Sequence, residues 1–415
     1  MANQNNKQLR SPKSSFKLAA QKKVRTDVLV APLAVLNNSI FLLDTTESVV
    51  GKNLTQWRLG SHPGRFPQFA NIKTVPSVQP LLSSCDINIS RASLFVKLVY
   101  WPQHGHTLFN VISNIYQTMK EIKVEIGRIR LYAAVDDTNE INNWNEKISH
   151  LGQYTAIFNA LSNEPVYNYY GLIKRSQSRI ICFTKTIAIG VSTRLDHYSV
   201  GIPLQDWRSF SKWILEVFLI PNIVRNSNIK SFEKQIVLTM IERSSRKITN
   251  LAQLRELSEK TYKSSIIVQT IDLATITFPE QLRFMRNTTI LFAIDGTALM
   301  NSLFMLNSCG VVIHIGTYMM RALVPGKGKN FRSLAEAGTA NNRYIYSEIQ
   351  RLIDVSESHR SRLRRVSLLN MNTYQRFHLA VHQDVHLPSF EYLKLLKQAM
   401  TMVQACLHRV SSDIT

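Results

Sequence analysis

The sequence is poor in cysteine, and its few cysteines form no recognised motif. Only four occur in 415 residues, and no two of them make a CxxC pair: Cys85, Cys182, Cys309 and Cys406. Cys182 and Cys309 stand inside apolar runs, where cysteine usually behaves as a small hydrophobic residue. This pattern does not favour a structural zinc site, and it indicates that the cysteines are reduced thiols. The sequence therefore predicts no disulfides and a cytoplasmic protein.

Long hydrophobic runs and a secretory signal are also missing. A membrane-spanning helix needs roughly 18 or more apolar residues, and the apolar segment 28–36 is too short and contains Pro32. The sequence thus predicts no transmembrane segment. The first 25 residues hold seven lysines and arginines and no acidic residue. That composition fits a flexible basic tail over 1–26, and it also fits a mitochondrial presequence.

Acidic residues are scarce throughout the chain. There are 28 Asp and Glu against 50 Lys and Arg, which gives a net charge of +22. Such a charge attracts polyanions, whether nucleic acid, anionic membrane or the phosphates of a nucleotide. Hydrophobic residues make up 45% and charged residues 19%, which is a globular composition and excludes general disorder.

The familiar nucleotide and hydrolase motifs are absent. The sequence contains no GxxxxGK[ST], GxGxxG, HExxH or GxSxG, so no function class follows from a single signature. The length predicts two or three domains. Pro, Asn and Ser cluster at 221–232, which indicates a domain boundary near residue 228.

Hydrophobic periodicity predicts an α/β fold. Before the boundary, strands are expected at 95–101, 126–135 and 180–192, with helices at 104–122 and from 136 onward. After it, the expected strands are 236–241, 265–271, 289–294, 310–315 and 343–347. Between them, helices are expected at 251–260, 278–287 and 331–338, with a turn and helix at 295–306. This alternation is typical of a parallel, doubly wound sheet, here a Rossmann-like domain over 229–388, followed by a C-terminal helix within 389–415.

Two loops at strand ends are the candidate ligand contacts, because open α/β sheets bind ligands at the carboxyl ends of their strands. The first loop contains Arg243, Ser244 and Arg246, whose guanidiniums and hydroxyl suit a diphosphate. A solvated basic loop is the alternative. The second contains Asp295 and Gly296, where the missing side chain of the glycine lets a ligand approach the backbone. A plain helix cap is the alternative there.

His106 is the candidate catalytic residue of the first half. It follows a predicted strand, two residues after His104. Residues spaced by two do not share a helix face, so a metal site is not expected. His106 could serve as a general base or contact a substrate; a capping or packing histidine is the alternative.

The order of these features resembles the family 61 glycosyltransferases. An Arg-Ser-x-x-Arg-x-Ile-x-Asn segment, a Phe-x-Glu-Gln helix and a Gly-[Ala/Thr]-x-Leu-x-Asn turn and helix follow one another in the family's order. The matching residues are Arg243, Arg246, Ile248, Asn250, Phe278, Glu280, Gln281, Gly296, Leu299, Asn301, Leu303 and Phe304. Upstream, residues 101–116 resemble the family's Asn-x-x-His-x-x-x-Asp helix, with His106 on its histidine. The likeness covers roughly residues 90–405 by order and spacing.

This resemblance implies a GT-B-like architecture of two Rossmann-like domains, with residues 27–228 as the acceptor-side domain. It implies a nucleotide-sugar donor, usually UDP-linked, and an inverting transfer to a glycan or protein hydroxyl that needs no metal and no further cofactor. Arg243, Ser244 and Arg246 would hold the diphosphate. Gly296, Thr297 and Asn301 would contact the nucleotide or sugar, and His106 and Asp295 are the candidate catalytic residues.

Two positions depart from the family pattern. Asp295 stands where the family has a histidine, and Asn110 stands where its helix has an aspartate. An amide cannot act as a carboxylate base. The alternative function is therefore a catalytically inactive subunit of a larger assembly, and the basic charge would suit an assembly that contains RNA.

Overall fold

The computed structural model describes seventeen stretches of the chain, which fall into two compact units divided between residues 194 and 195. The described residues are 17–18, 27–36, 39–43, 71–75, 83–98, 106–121, 124–135, 152, 154–177, 179–189, 204–220, 236–305, 309–323, 332, 335–336, 342–365 and 371–412. Each unit has its own sheet.

The strands described in the first unit form a mixed sheet of nine. In chain order they are β1 (Lys17–Leu18), β2 (Asp27–Leu36), β3 (Ser39–Leu43), β4 (Asn71–Val75), β5 (Ile87–Ile89), β6 (Ser93–Leu98), β7 (Arg130–Val135), β8 (Tyr167–Asn168) and β9 (Ile181–Ile189). The spatial order is β4-β3-β2-β9-β6-β7-β8, with β1 beside β2 and β5 beside β9. The pairings among β5 to β9 are parallel, whereas β2 runs antiparallel to β1, β3 and β9.

The apolar segment 28–36 lies within strand β2. Its register against β9 shifts between Ala31 and Leu33, which is where Pro32 lacks the N–H that a regular ladder needs. Among the described residues, no helix is long and apolar enough to cross a membrane.

The predicted helix of the first unit is confirmed. It starts as a π-helical turn, His106–Ile112, and continues as α1 (Ser113–Glu121). Its buried residues recur three or four positions apart and include Leu108, Ile112, Ile115 and Met119, which is the spacing of one helix face. Helices α2 (Thr155–Ser162) and α3 (Tyr169–Arg175) complete this unit's described helices. The helix expected from residue 136 lies outside the described residues.

The second unit contains a five-stranded, fully parallel sheet, and this confirms the predicted α/β class. Its strands are β10 (Ile236–Ile241), β11 (Ile266–Ile271), β12 (Ile290–Ile294), β13 (Val311–Gly316) and β14 (Arg343–Glu348). Their spatial order is β11-β10-β12-β13-β14. Residues of β12 and β13 are all buried, as expected for strands covered on both faces.

Helices link and flank this sheet. They are α4 (Leu204–Val217), α5 (Leu251–Tyr262), α6 (Phe278–Asn287), α7 (Met320–Leu323), α8 (Glu357–Arg365), α9 (Thr373–Val381) and α10 (Ser389–Ser412). Short 3₁₀ turns occupy Lys263–Ser265, Leu273–Thr275, Thr297–Phe304 and Leu352–Asp354. The turn predicted at 295–306 is thus 3₁₀ rather than α-helical. Of the helix expected at 331–338, only residues 332, 335 and 336 are described, and all three are helical.

Helix α4 belongs to the second unit, although the sequence placed it before the boundary. Its Trp207 and Phe210 are buried, and the Ser211 hydroxyl donates to the Leu303 carbonyl at 3.1 Å. The unit therefore begins near residue 195 rather than at the predicted 229, because packing of the helix and not local composition decides the division.

The C-terminal helix α10 packs along the second sheet, close to its predicted bounds. Tyr392, Leu396, Ala399 and Val403 are buried on one face. The Tyr392 ring meets Phe292 of β12 edge to face, with centroids 5.2 Å apart. The helix therefore completes the core of this unit.

The prediction of reduced cysteines is wrong. Cys85 is disulfide-bonded to Cys182, and Cys309 to Cys406, with Cα atoms 5.8 and 5.4 Å apart. The partners lie 97 residues apart in each pair, so spacing could not reveal them. Cys182 lies in β9, and the second bond ties α10 to the segment just before β13.

Removing the second disulfide should destabilise its unit. We expect the double variant Cys309→Ser/Cys406→Ser to lose roughly 2–5 kcal/mol of unfolding free energy, because the bond closes a long loop. Thermal or urea unfolding measures the loss. Cys85→Ser/Cys182→Ser is the matched control for the other unit. Intact protein, denatured without reductant, should show no titratable thiol; four reactive thiols would contradict the pairing.

Candidate functional site

The candidate site lies where the strand order of the second sheet reverses. The first strand, β10, has β11 on one side and β12 on the other. The connection after β10 therefore leads to β11 on one side, whereas the connection after β12 leads to β13 on the other. In open α/β sheets this switch point opens a crevice at the carboxyl ends of the strands, where ligands bind. The loop that follows β10 carries Arg243 and Arg246, and the turn that follows β12 carries Asp295 and Gly296.

Arg243 crosses from one side of the crevice to the other. Its Nη1 donates to the backbone carbonyl of Asp295 at 3.3 Å. It also lies directly over Gly296, where an added Cβ would overlap Nη1. A glycine is thus required here for the close approach of the guanidinium.

Arg246 has an unusual backbone conformation. Its φ is 55°, in the left-handed region that costs a non-glycine residue roughly 1–2 kcal/mol. Strained conformations of this kind concentrate at functional sites, where the surrounding structure enforces them. The conformation sits in the loop that also holds Arg243, so both arginines are set by one short turn.

The two guanidiniums carry more positive charge than their surroundings neutralise. Burial, followed by the charge of Arg246, lowers the pKa of Arg243 to about 10, and the carboxylates of Asp295 and Asp272 only partly oppose this. Burial likewise lowers the pKa of Arg246, against the attraction of Asp295. Both arginines remain charged near neutral pH, so the site favours an anion.

Three polar side chains lie side by side at the turn after β12 and on the strands β13 and β14: Asp295 and His314 are buried, and Tyr344 is partly buried. His314 of β13 lies with Nε2 3.3 Å from Oδ1 of Asp295, and both side chains are 0% exposed. The other ring nitrogen, Nδ1, is hydrogen-bonded to the hydroxyl of Tyr344 in β14. Tyr346 meets the His314 ring edge to face at 4.9 Å. Sequence reasoning missed His314; its signal was a single histidine in the apolar strand GVVIHI.

The remaining predicted residues of this unit divide between surface and interior. Ser244 and Thr297 are exposed at the same edge as the arginines. Asn301 is buried, and its Nδ2 donates to Oε1 of Gln281 at 3.1 Å. The structure therefore brings Arg243, Arg246 and Gly296 together and keeps Asn301 inside the unit.

Most other residues of the family motifs stabilise the fold of the second unit and do not line the crevice. Ile248 is buried and bridges to Val385. The Asn250 amide donates to the Leu387 carbonyl at 2.9 Å, and its Oδ1 accepts from the Leu387 N–H at 3.1 Å. These bonds fasten the start of α5 to the segment before α10.

The Phe-x-Glu-Gln motif builds helix α6. Phe278 is fully buried against Phe304, with ring centroids 6.0 Å apart. Glu280 accepts the backbone N–H of Thr277 at 2.8 Å in a capping box. The Gln281 amide donates to the Leu273 carbonyl. This motif therefore shapes the fold around the site rather than the ligand surface.

His106 lies in the first unit, at the start of the π-helical turn. Its side chain and that of Asn110 lie outside what the structure describes, so its role in acceptor activation stays a prediction. Within the described ranges, no group of three or more His, Cys, Asp or Glu side chains could hold a metal ion.

Comparison with known proteins identifies the family. The family model described as Glycosyltransferase 61 matches residues 104–312, just over half of the chain. That span includes the His106 turn, both arginines and the turn after β12. No curated protein matches the sequence.

One solved structure to which the chain is similar is the glycosyl transferase family 9 protein from Veillonella parvula DSM 2008. The identity is 10%, over 78% of this chain and 99% of that chain, with a TM-score of 0.29. The fold assignment rests on the sheet topology instead. By the family match, the chain belongs to glycosyltransferase family 61 and is a sugar-transferring enzyme.

Proposed function

We propose that this glycosyltransferase takes its sugar from a UDP-linked donor and transfers it, with inversion and without a metal ion, to a hydroxyl of a glycan or protein. The observation that carries the proposal is the pair of arginines at the switch point, Arg243 and Arg246. Both are partly buried, and burial depresses the pKa of each.

A diphosphate fits this charge better than a neutral ligand does. Guanidiniums form forked, charge-assisted hydrogen bonds with phosphate oxygens, and partial burial strengthens such bonds by lowering the local dielectric. The exposed hydroxyls of Ser244 and Thr297 lie at the same edge and could complete the contacts. The preference for UDP is what the family resemblance implies.

The same arginines would support the chemical step. In the transfer, the bond between the anomeric carbon and a diphosphate oxygen breaks, and the diphosphate leaves with the electron pair. Preorganised cations at that oxygen stabilise the developing charge, which is the task that a metal performs in other transferases. No redox group or covalent carrier is needed, so we propose no cofactor beyond the donor.

Inversion requires the acceptor hydroxyl to attack from the opposite face and to lose its proton to a base. We keep His106 as the candidate for that base. Asp295, the other residue named from the sequence, is fully enclosed, so its carboxylate can act only through its neighbours.

The disulfides indicate the kind of cellular compartment in which the enzyme works. All four cysteines are paired, and such bonds form and persist in oxidising compartments. We therefore propose an oxidising compartment in place of the cytoplasm or mitochondrion expected from the sequence. Reductant-dependent loss of stability in the purified enzyme is the corresponding check.

The donor site is tested by calorimetry of the purified enzyme with UDP, GDP, UDP-GlcNAc and UDP-xylose. We expect binding of a UDP ligand, and a loss of affinity of at least about tenfold in Arg246→Ala, because a hydrogen bond to a charged group contributes roughly 1.5–3 kcal/mol. Arg255→Ala is the matched control: this arginine is exposed on α5 and pairs with Glu259, so affinity should not change.

Unchanged affinity in Arg246→Ala would overturn the site assignment. Binding of a short RNA that weakens with salt, without any nucleotide binding, would instead favour the inactive-subunit alternative, because neutralisation of a polyanion is strongly salt-dependent.

Gly296 provides a second test of the same crevice. We expect Gly296→Ala to weaken UDP binding, because the added Cβ displaces the Arg243 guanidinium and because the φ of 157° strains an alanine. In an Arg243→Ala background the same substitution should have a smaller further effect, since only the backbone strain remains; a double-mutant cycle measures the difference. Additive losses would show that Gly296 acts independently of Arg243.

A further inference from the structure

The loop that carries the two arginines is hydrogen-bonded to a carboxylate from a distant part of the second unit. Oδ1 of Asp384 accepts the backbone N–H of Lys247 at 2.9 Å, across 137 residues of sequence. Asp384 lies in the segment between α9 and α10. Because Lys247 directly follows Arg246, this bond acts on the peptide unit that joins those two residues.

The bond fixes the backbone of Arg246. Since the peptide unit after Arg246 is planar and contains the Lys247 N–H, the direction of that N–H sets the ψ angle of Arg246. Arg246 has a left-handed φ of 55°, a conformation that persists only where surrounding contacts enforce it. Release of the Lys247 N–H would let the Arg246 backbone relax to an ordinary conformation, and its guanidinium would move with it.

Beyond Lys247, the loop pairs with the segment after α9 in a short ladder. The Lys247 carbonyl accepts the Val385 N–H at 2.9 Å, and the Thr249 N–H donates to the Val385 carbonyl at 2.7 Å. Both bonds lie beyond the peptide unit that joins Arg246 to Lys247. The Asp384 side chain thus extends the ladder by one peptide unit, up to the arginine.

The main chain around Asp384 is itself well anchored. Its carbonyl accepts the Ser356 N–H at 2.9 Å. The preceding residue, Gln383, is buried; its Nε2 donates to the Leu379 carbonyl at 2.9 Å, and its Oε1 accepts the Tyr318 N–H at 3.1 Å. The Asp384 carboxylate therefore projects from a fixed segment of backbone, as a group must if it is to orient another loop.

We propose that Asp384 is a positioning residue of the donor site, which places the Arg246 guanidinium through the backbone of Lys247. Its contribution is the geometry in which the arginine meets the phosphates. That geometry matters because a hydrogen bond weakens steeply as its angle and distance depart from the ideal. This inference rests on the proposed donor site and deepens it.

Two substitutions at residue 384 test the proposal. Asp384→Ala removes the acceptor, so we expect it to weaken binding of UDP and of inorganic pyrophosphate about tenfold, because the Arg246 contact is lost. Asp384→Asn keeps an oxygen that accepts the Lys247 N–H, so it should bind both ligands at least as tightly as the wild-type enzyme. Calorimetry measures the affinities. Wild-type affinity in Asp384→Ala, or an equal loss in both variants, would overturn the proposal.

A double-mutant cycle and a matched control separate positioning from general stability. In an Arg246→Ala background, Asp384→Ala should change UDP affinity by less than about twofold, because its effect passes through the arginine. Asp354→Ala is the control. Asp354 lies beside the same ladder, where its carbonyl accepts the His386 N–H, but its carboxylate binds the Arg351 side chain at 2.9 Å. It should lower the Tm and leave UDP affinity unchanged.

Two results of that comparison would show a merely structural role for Asp384 and would overturn the proposal. One is an undiminished effect of Asp384→Ala in the Arg246→Ala background. The other is an equal loss of UDP affinity in Asp354→Ala. If Asp384→Ala does not fold, Asp384→Glu takes its place: it moves the carboxylate by one methylene and should also weaken UDP binding, and wild-type affinity in that variant would refute the role.

Hydrogen–deuterium exchange tests the same bond without a ligand. We expect the peptide that contains residues 243–249 to exchange faster in Asp384→Ala than in the wild type, and at the wild-type rate in Asp354→Ala. Unchanged exchange in Asp384→Ala would overturn the inference. If the wild-type enzyme binds neither UDP nor pyrophosphate, the proposed donor site fails, and exchange alone decides whether Asp384 holds the loop. Binding that survives Asp384→Ala unchanged overturns the positioning role and leaves the donor site standing.

Discussion

The reversal of strand order beside β10 is the constraint on which the rest of the second unit depends. It separates the connections after β10 and β12 and so leaves a crevice between the loops that follow them. The positive charge of the arginines is concentrated in this crevice because a guanidinium can approach the backbone of the opposite turn closely. Gly296 provides that approach for the Arg243 guanidinium, and the left-handed Arg246 bends the opposing loop. The strand order thus determines where the crevice lies, and the backbone at Gly296 and Arg246 allows the two guanidiniums to lie in it.

The family motifs are easier to understand once their residues are sorted by burial. Asn250 and Gln281 make buried amide bonds to the backbone, and Phe278 packs in the core. A sequence pattern of this kind identifies the family mainly by the scaffold that shapes the crevice. The two arginines and Gly296 are the part that we propose to face the ligand. The departure at Asp295 is not ligand-facing, because its side chain is fully enclosed, with His314 Nε2 3.3 Å from its Oδ1.

The sequence predicts those features of the structure that a local residue pattern determines, and it misses those that depend on contacts between distant segments. The strands of the second sheet were found within a residue or two, because parallel strands buried on both faces are continuous apolar runs. The disulfides were missed because apolar context made Cys182 and Cys309 look like core residues, and only the tertiary fold reveals their partners. The segment that forms helix α4 lies before the boundary expected from the sequence, because its packing on the Thr297–Phe304 turn is not a local property. The arginines were predictable from their place after a strand. The contacts of His314 were not, because its partners Asp295 and Tyr344 are distant in sequence and only the sheet brings them together.

The C-terminal helix stabilises the second unit and also contacts the strands that lie next to the site. The Cys309–Cys406 bond ties α10 to the segment before β13, and β13 carries His314. The same helix buries Tyr392 against Phe292 of β12, the strand directly before Asp295. One helix thus packs against both strands that lie next to the buried contact between Asp295 and His314. Buried polar groups are costly unless their partners are well placed. The distant helix therefore contributes to the placement of this contact, although it lies outside the segment that matches the family.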